Sequence, residues 1–127
     1  MQKIFLLLIA LVWAVGLWLP TPSLAANPKL EALASQIQRL QTYVEENNWQ
    51  EIRAYIRGPM GETRRKLATI ERELPKNQRS TFKTAASRFL DDLINLDFAA
   101  LQQDSERTET AFQSLQADLD NLRQTVD

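Results

Sequence analysis

The chain is 127 residues long and 44% hydrophobic, with no Cys, no His and a formal charge of −1. These values suit one small globular domain; they exclude disulfide stapling and the strong positive charge of a general nucleic-acid binder, and they leave stability to apolar packing. Haem, zinc and Glu-x-x-His di-iron centres in helical proteins use His or Cys, so the composition also argues against a cytochrome, a zinc enzyme or a di-iron bundle.

At the amino terminus Lys3 precedes an uncharged apolar run over residues 4–19, followed by Pro20 and by Ser23-Leu24-Ala25, with small residues three places and one place before a cut after Ala25. This pattern predicts a secretory signal peptide over residues 1–25, removed from a domain of residues 26–127. A retained membrane anchor is the competing reading, although sixteen residues fall short of the ~20 that span a bilayer. No Arg-Arg pair precedes the run, which favours the general secretory route over twin-arginine export.

Beyond Asn27-Pro28, Leu30, Leu33, Ile37, Leu40 and Val44 recur at steps of three and four, the spacing of one helix face, and predict a first helix ending near Asn47-Asn48. A second series runs through Trp49, Ile52, Ile56, Met60, Thr63, Leu67, Ile70 and Leu74, and keeps its phase across Arg57-Gly58-Pro59-Met60-Gly61-Glu62. That continuity predicts one kinked helix or two nearly collinear segments. Pro59 removes the N–H that would bond to Tyr55, a break of about 3 kcal/mol in an ordinary helix interior, so local compensation is expected. Two of the chain's three glycines, Gly58 and Gly61, leave bare backbone here.

Leu74-Pro75 ends this series, with Asn77 as the expected N-cap of a third helix carrying Phe82, Ala85, Ala86, Phe89, Leu90, Leu93 and Leu96. Asp97 is the expected cap of a fourth, with the stripe Leu101, Thr108, Ala111, Phe112, Leu115, Leu119, Leu122 and Val126. Four amphipathic stripes without strand alternation predict an all-α, up-down-up-down four-helix bundle after the signal peptide. A continuous coiled-coil rod is the weaker alternative, because prolines mark the connections.

The charge is unevenly placed. Residues 49–90 hold ten Lys or Arg against four Asp or Glu, and residues 91–127 hold two against nine, which suits docking by complementary patches as well as it suits solvated helix faces. Arg53, Arg57 and Arg64 fall on one side of the second helix, with Arg65 and Lys66 beside them, and this cluster next to Gly58-Pro59 is the candidate docking patch. Asp91-Asp92 and Asp118-x-Asp120 could hold Ca²⁺ in principle, but adjacent helical residues point apart and solvated faces explain them better. Neither a Gly-x-Ser-x-Gly nucleophile nor a phosphate-binding glycine loop is present.

Trp49, Arg53 and Ile56, then Gly58-Pro59-Met60-Gly61-Glu62 and Arg64, resemble the Trp…Ile-x-Gly-Pro-Leu-Gly-Glu-x-Arg signature of the PsbQ family in its cyanobacterial, PsbQ-like (CyanoQ) form. The likeness continues through Leu74-Pro75, Phe89-Leu90-Asp91-Asp92-Leu93 and Leu96-Asp97-x-Ala99-Ala100, and ends more weakly at Phe112 and Asp118-Leu119-Asp120. The resemblance implies a non-enzymatic extrinsic subunit of photosystem II in the thylakoid lumen. Such a subunit would contact the photosystem core and other extrinsic subunits, and help the manganese–calcium cluster retain calcium and chloride without binding a cofactor itself. In that setting Arg53, Arg57, Gly58, Pro59, Gly61, Arg64 and Arg65 are the expected docking residues.

Cyanobacterial members usually end the signal peptide with a lipobox cysteine, whereas Ser23-Leu24-Ala25-Ala26 has none, so attachment through protein contacts alone is expected. A chain without His is also expected to hold nearly constant charge between about pH 5.5 and 7.5. The competing function, from another class, is an exported periplasmic helical adaptor or chaperone.

Overall fold

The computed structural model describes residues 27–126, so the expected signal peptide lies outside the described residues. Five helices follow one another: α1 (Pro28–Glu45), α2 (Trp49–Arg57), α3 (Thr63–Glu73), α4 (Lys76–Leu101) and α5 (Ser105–Val126). Taken as one arm, α2 and α3 form the second rod of a ring. They pack on α1 and α4, α4 packs on α5, and α5 closes back on α1.

Cross-links at the two ends fix the up-down order. The Ser105 hydroxyl donates to Asn47 Oδ1 at 2.9 Å, joining the α1–α2 turn to the α4–α5 turn at one end. At the other, Lys29 pairs with Glu73 at 2.7 Å and Arg123 approaches Glu31 at 3.6 Å, so the start of α1 meets the ends of α3 and α5.

Local chemistry sets the helix limits. Asn27 caps α1 by accepting from the Lys29 N–H at 3.0 Å, with Pro28 in the first turn, where a missing N–H costs nothing. The helix stops as Asn47 turns left-handed (φ 52°) and the Asn48 N–H reaches back to the Tyr43 carbonyl at 3.0 Å. The same device recurs after α4: Gln103 is left-handed (φ 55°) and the Asp104 N–H donates to Ala99 at 3.1 Å. Asn48 then caps α2 by accepting from the Glu51 N–H.

The periodic residues become the core. Leu30, Leu33, Ile37, Leu40 and Val44 of α1 meet Ile52, Met60, Leu67 and Ile70 of the second arm, Phe82, Phe89, Leu93 and Leu96 of α4, and Phe112, Leu115, Leu119 and Leu122 of α5. Each large side chain sealed there contributes on the order of 2 kcal/mol over its exposed state. Trp49, Ile56, Leu74, Leu90 and Val126 are partly buried at its margin.

Of the two forms expected for the second series, the divided one is found: it separates at residues 58–62 into α2 and α3. Three expectations are corrected. Asp97 does not start a helix, because nothing in Ala99-Ala100-Leu101 stops α4, which runs on to Leu101; Asp104 caps α5 instead, accepting from the Arg107 N–H at 3.1 Å. Asn77 is not the N-cap of α4, since that position falls to Pro75, whose fixed φ sets the chain on course without a side-chain bond. Leu101 faces outward at 52% exposure and is not a core residue.

Candidate functional site

Gly58 begins the break between α2 and α3 by leaving helical geometry (φ −89°, ψ −94°) after its N–H has bonded to Ala54 at 2.8 Å. Pro59 has no N–H for the Tyr55 carbonyl, and the Met60 N–H takes its place at 3.1 Å, one residue further on than an α-helix would use. Gly61 closes on the Gly58 carbonyl at 2.9 Å and Thr63 on the Met60 carbonyl at 3.1 Å. The Thr63 hydroxyl donates to that same carbonyl at 2.7 Å, which satisfies a buried polar group. The turn therefore retains the bonds that the proline removes, and it drives Met60 and Thr63 into the core in phase with Ile52 before them and Leu67 after.

Both glycines are here for close approach, not for a left-handed backbone. A Cβ on Gly61 would stand 2.8 Å from the Arg57 carbonyl oxygen, and one on Gly58 would stand 3.0 Å from that of Ala54. Across the turn, Gln36 of α1 donates to the Pro59 carbonyl at 3.0 Å and ties the exposed loop to the first helix.

Arg53, Arg57 and Arg65, three of the arginines flanking this turn, face acidic partners within the molecule. Arg53 Nε donates to Asp97 Oδ1 and Arg57 Nη2 to Asp97 Oδ2, each at 3.2 Å, so one carboxylate of α4 clamps two guanidinium groups of α2. Arg53 is mostly covered, whereas the Arg57 side chain stays 64% exposed. Arg64 lines an open cleft between α3 and α4 with Leu67, Lys83, Leu90 and Asp91. Arg65 is exposed and only loosely paired with Glu62 at 3.8 Å. Of the seven expected docking residues, Gly58, Pro59, Gly61, Arg57, Arg64 and Arg65 are thus presented to solvent, while Arg53 is held inward. Asp97 was not legible as their partner, because it lies 44 and 40 residues away in the chain.

The structure also joins two carboxylates that the sequence leaves far apart. Asp92 of α4 lies against Asp118 of α5, close enough for one carboxyl, when protonated, to donate to the other. No protein donor reaches Asp92 Oδ2, which is enclosed. Burial, then the Asp118 hydrogen bond, then the charges of Asp118 and Asp91 push the Asp92 carboxyl up to about 7. The expectation of constant charge between about pH 5.5 and 7.5 is therefore corrected: the group displaced into that range is a carboxyl, raised first by burial and then by its Asp118 neighbour. Among the described residues, no group of three or more acidic, His or Cys side chains is arranged to hold a metal ion.

Residues 19–126 match the model of the PsbQ family, described as oxygen evolving enhancer protein 3. The chain belongs to the PsbQ family. It is similar to CyanoQ of Synechocystis sp., with 30% identity over 96 residues, 76% of this chain and 64% of that protein's length. The family is one of non-catalytic extrinsic proteins of photosystem II. Among the described residues, no helix is long and apolar enough to cross a membrane.

Proposed function

We propose that this PsbQ-family chain is an extrinsic subunit on the lumenal side of the thylakoid membrane, exported by its leader, cleaved after Ala25 and bound to photosystem II through protein contacts. It stabilises the oxygen-evolving complex and helps it retain calcium and chloride, supporting the manganese–calcium cluster indirectly and binding no cofactor itself. The observation that carries this reading is the family match over residues 19–126. The exposed Gly58-Pro59-Gly61 turn, with Arg57, Arg64 and Arg65 around it, supplies one docking edge, and Arg53 holds its shape through Asp97.

The test is purification of a carboxy-terminally tagged copy from gently solubilised membranes of the source organism, with mass spectrometry of the proteins retained. Photosystem II core and other extrinsic subunits are expected, and a high-salt wash should release them, since exposed ion pairs are screened by salt. Recovery of assorted exported proteins without the photosystem would overturn the reading in favour of a periplasmic adaptor or chaperone. The mass of the recovered chain reports whether residues 1–25 have been removed.

A further inference from the structure

Helix α4 already buries one stripe, Phe82, Phe89, Leu93 and Leu96, yet carries a second on its outer side. Ile94, Phe98 and Leu101 recur at i, i+4 and i+7 and remain 59%, 54% and 52% exposed, and they are the exposed large hydrophobics among the described residues. Single exposed apolar side chains are ordinary, whereas three aligned on one helix face form a continuous strip. Nothing in the bundle's own packing calls for them, because the ring of helices is closed without them.

Beside Phe98 runs an open cleft of about 520 Å³ between α4 and α5. Asp104 and Glu106 line it against a single cation, Arg107, which is itself drawn to Asp104 at 3.6 Å, while Asp92, also in the lining, holds its proton more tightly than an ordinary carboxyl. On the opposite flank Asp97 is paired with both Arg53 and Arg57, which leaves one positive charge there. The strip is therefore bordered by net negative charge on its cleft side.

We propose that the Ile94-Phe98-Leu101 strip and the acidic cleft beside it form a second docking surface, which receives a protein segment pairing apolar side chains with Lys or Arg. This rests on the reading above, so that the segment belongs to a photosystem II subunit. Charge favours that occupant on the cleft side, where basic side chains complement Glu106 and Asp104. The size selects it too, because the strip exposes on the order of a few hundred Å², short of the roughly 800 Å² per partner of a stable dimer. It suits one contact among several made with a larger complex.

The experiment compares rebinding of three forms to photosystem II particles stripped of extrinsic subunits by salt: the native chain, the triple variant Ile94→Gln, Phe98→Gln and Leu101→Gln, and Glu106→Gln. All four side chains are exposed, and helical circular dichroism with a melting curve confirms that each variant folds. The triple variant should bind at least roughly tenfold more weakly, as loss of an apolar anchor does, and Glu106→Gln should bind more weakly with a shallower salt dependence. Native-like binding of the triple variant would overturn the second surface while leaving the proposed function standing. Failure of the native chain to bind would overturn both. A native dimer dissolved by the triple variant, or native binding to anionic lipid vesicles abolished by it, would assign the strip to a second copy or to a membrane, and would likewise overturn the proposal.

Discussion

At Gly61 a Cβ would meet the Arg57 carbonyl oxygen at 2.8 Å and that of Gly58 at 3.1 Å, both of them backbone atoms that cannot swing aside. Gly61→Ala should therefore destabilise the fold by about 1–3 kcal/mol, the range for forcing an extra carbon into a packed site, read as a lower urea midpoint with unchanged slope. Pro59→Ala should change stability by less than about 1 kcal/mol, because Pro59 is exposed and the Tyr55 carbonyl already has the Met60 N–H. A large loss for Pro59 and none for Gly61 would show that the ring, and not the close approach, holds the turn. Two nearby details follow the same logic of satisfying backbone groups locally. Thr63 and Thr108, the buried polar residues, each donate to a carbonyl of the preceding turn. Arg79 closes α3 by donating to the carbonyls of Leu74 and Arg72 at 2.9 and 3.1 Å.

Between elements, the contact that holds α2 against α4 is apolar at Ile52 and ionic at Asp97. The Arg53–Asp97 pair is about three-quarters covered, and so lies between an exposed ion pair of little worth and a buried one. Asp97→Ala should lower stability by about 1–2 kcal/mol. A double-mutant cycle should give a larger coupling for Asp97 with Arg53 than with the more exposed Arg57. Equal couplings would mean that burial does not set the strength of the clamp. The pairing also bears on any test of docking: reversing the charge of Arg53 would set a carboxylate against Asp97 and loosen α2, so Arg57 and Arg65 are the positions at which a lost partner can be told from a lost fold. Of this element pairing the sequence showed the apolar half, through the phase of Ile52 and Ile56. The ionic half was hidden, because Asp97 sits where a helix start was expected and no local pattern links it to arginines in another helix.

At the scale of the whole molecule, the basic middle of the chain and its acidic remainder are folded against one another, so part of the charge polarity is satisfied internally. The exception is the α4–α5 seam, where Asp92 and Asp118 meet carboxyl to carboxyl. The folded chain holds the Asp92 proton more tightly than the unfolded chain does, so this group's contribution to stability is fully present below about pH 4, the unfolded carboxyl value, and is lost as pH rises through about 7. Solvent screens the partly exposed pair and keeps the effect small. Melting temperature should accordingly rise by a few degrees on acidification from pH 7.5 to 5, while Asp92→Asn, whose amide can donate to Asp118, should flatten that rise and match or exceed the native chain at pH 7.5. The same rise in Asp92→Asn as in the native chain would assign the pH dependence to other carboxyls.

The sequence by itself determined the helical architecture, because a 3.6-residue apolar period has few ways to bury its stripes other than on neighbouring helices, and Asn, Pro and the Gly-Pro turn punctuate the stripes. It also carried the family, through a run of residues around Gly58-Pro59-Met60-Gly61-Glu62 that needs no coordinates to recognise. Only the tertiary structure decided which charges meet: Arg53 and Arg57 with Asp97, and Asp92 with Asp118. It alone also showed that Ile94, Phe98 and Leu101 are left outside the ring. The physical reason is range. Periodicity and capping act within a turn or two of helix and are written in adjacent residues, whereas ion pairing, desolvation and exposure depend on groups brought together from distant parts of the chain.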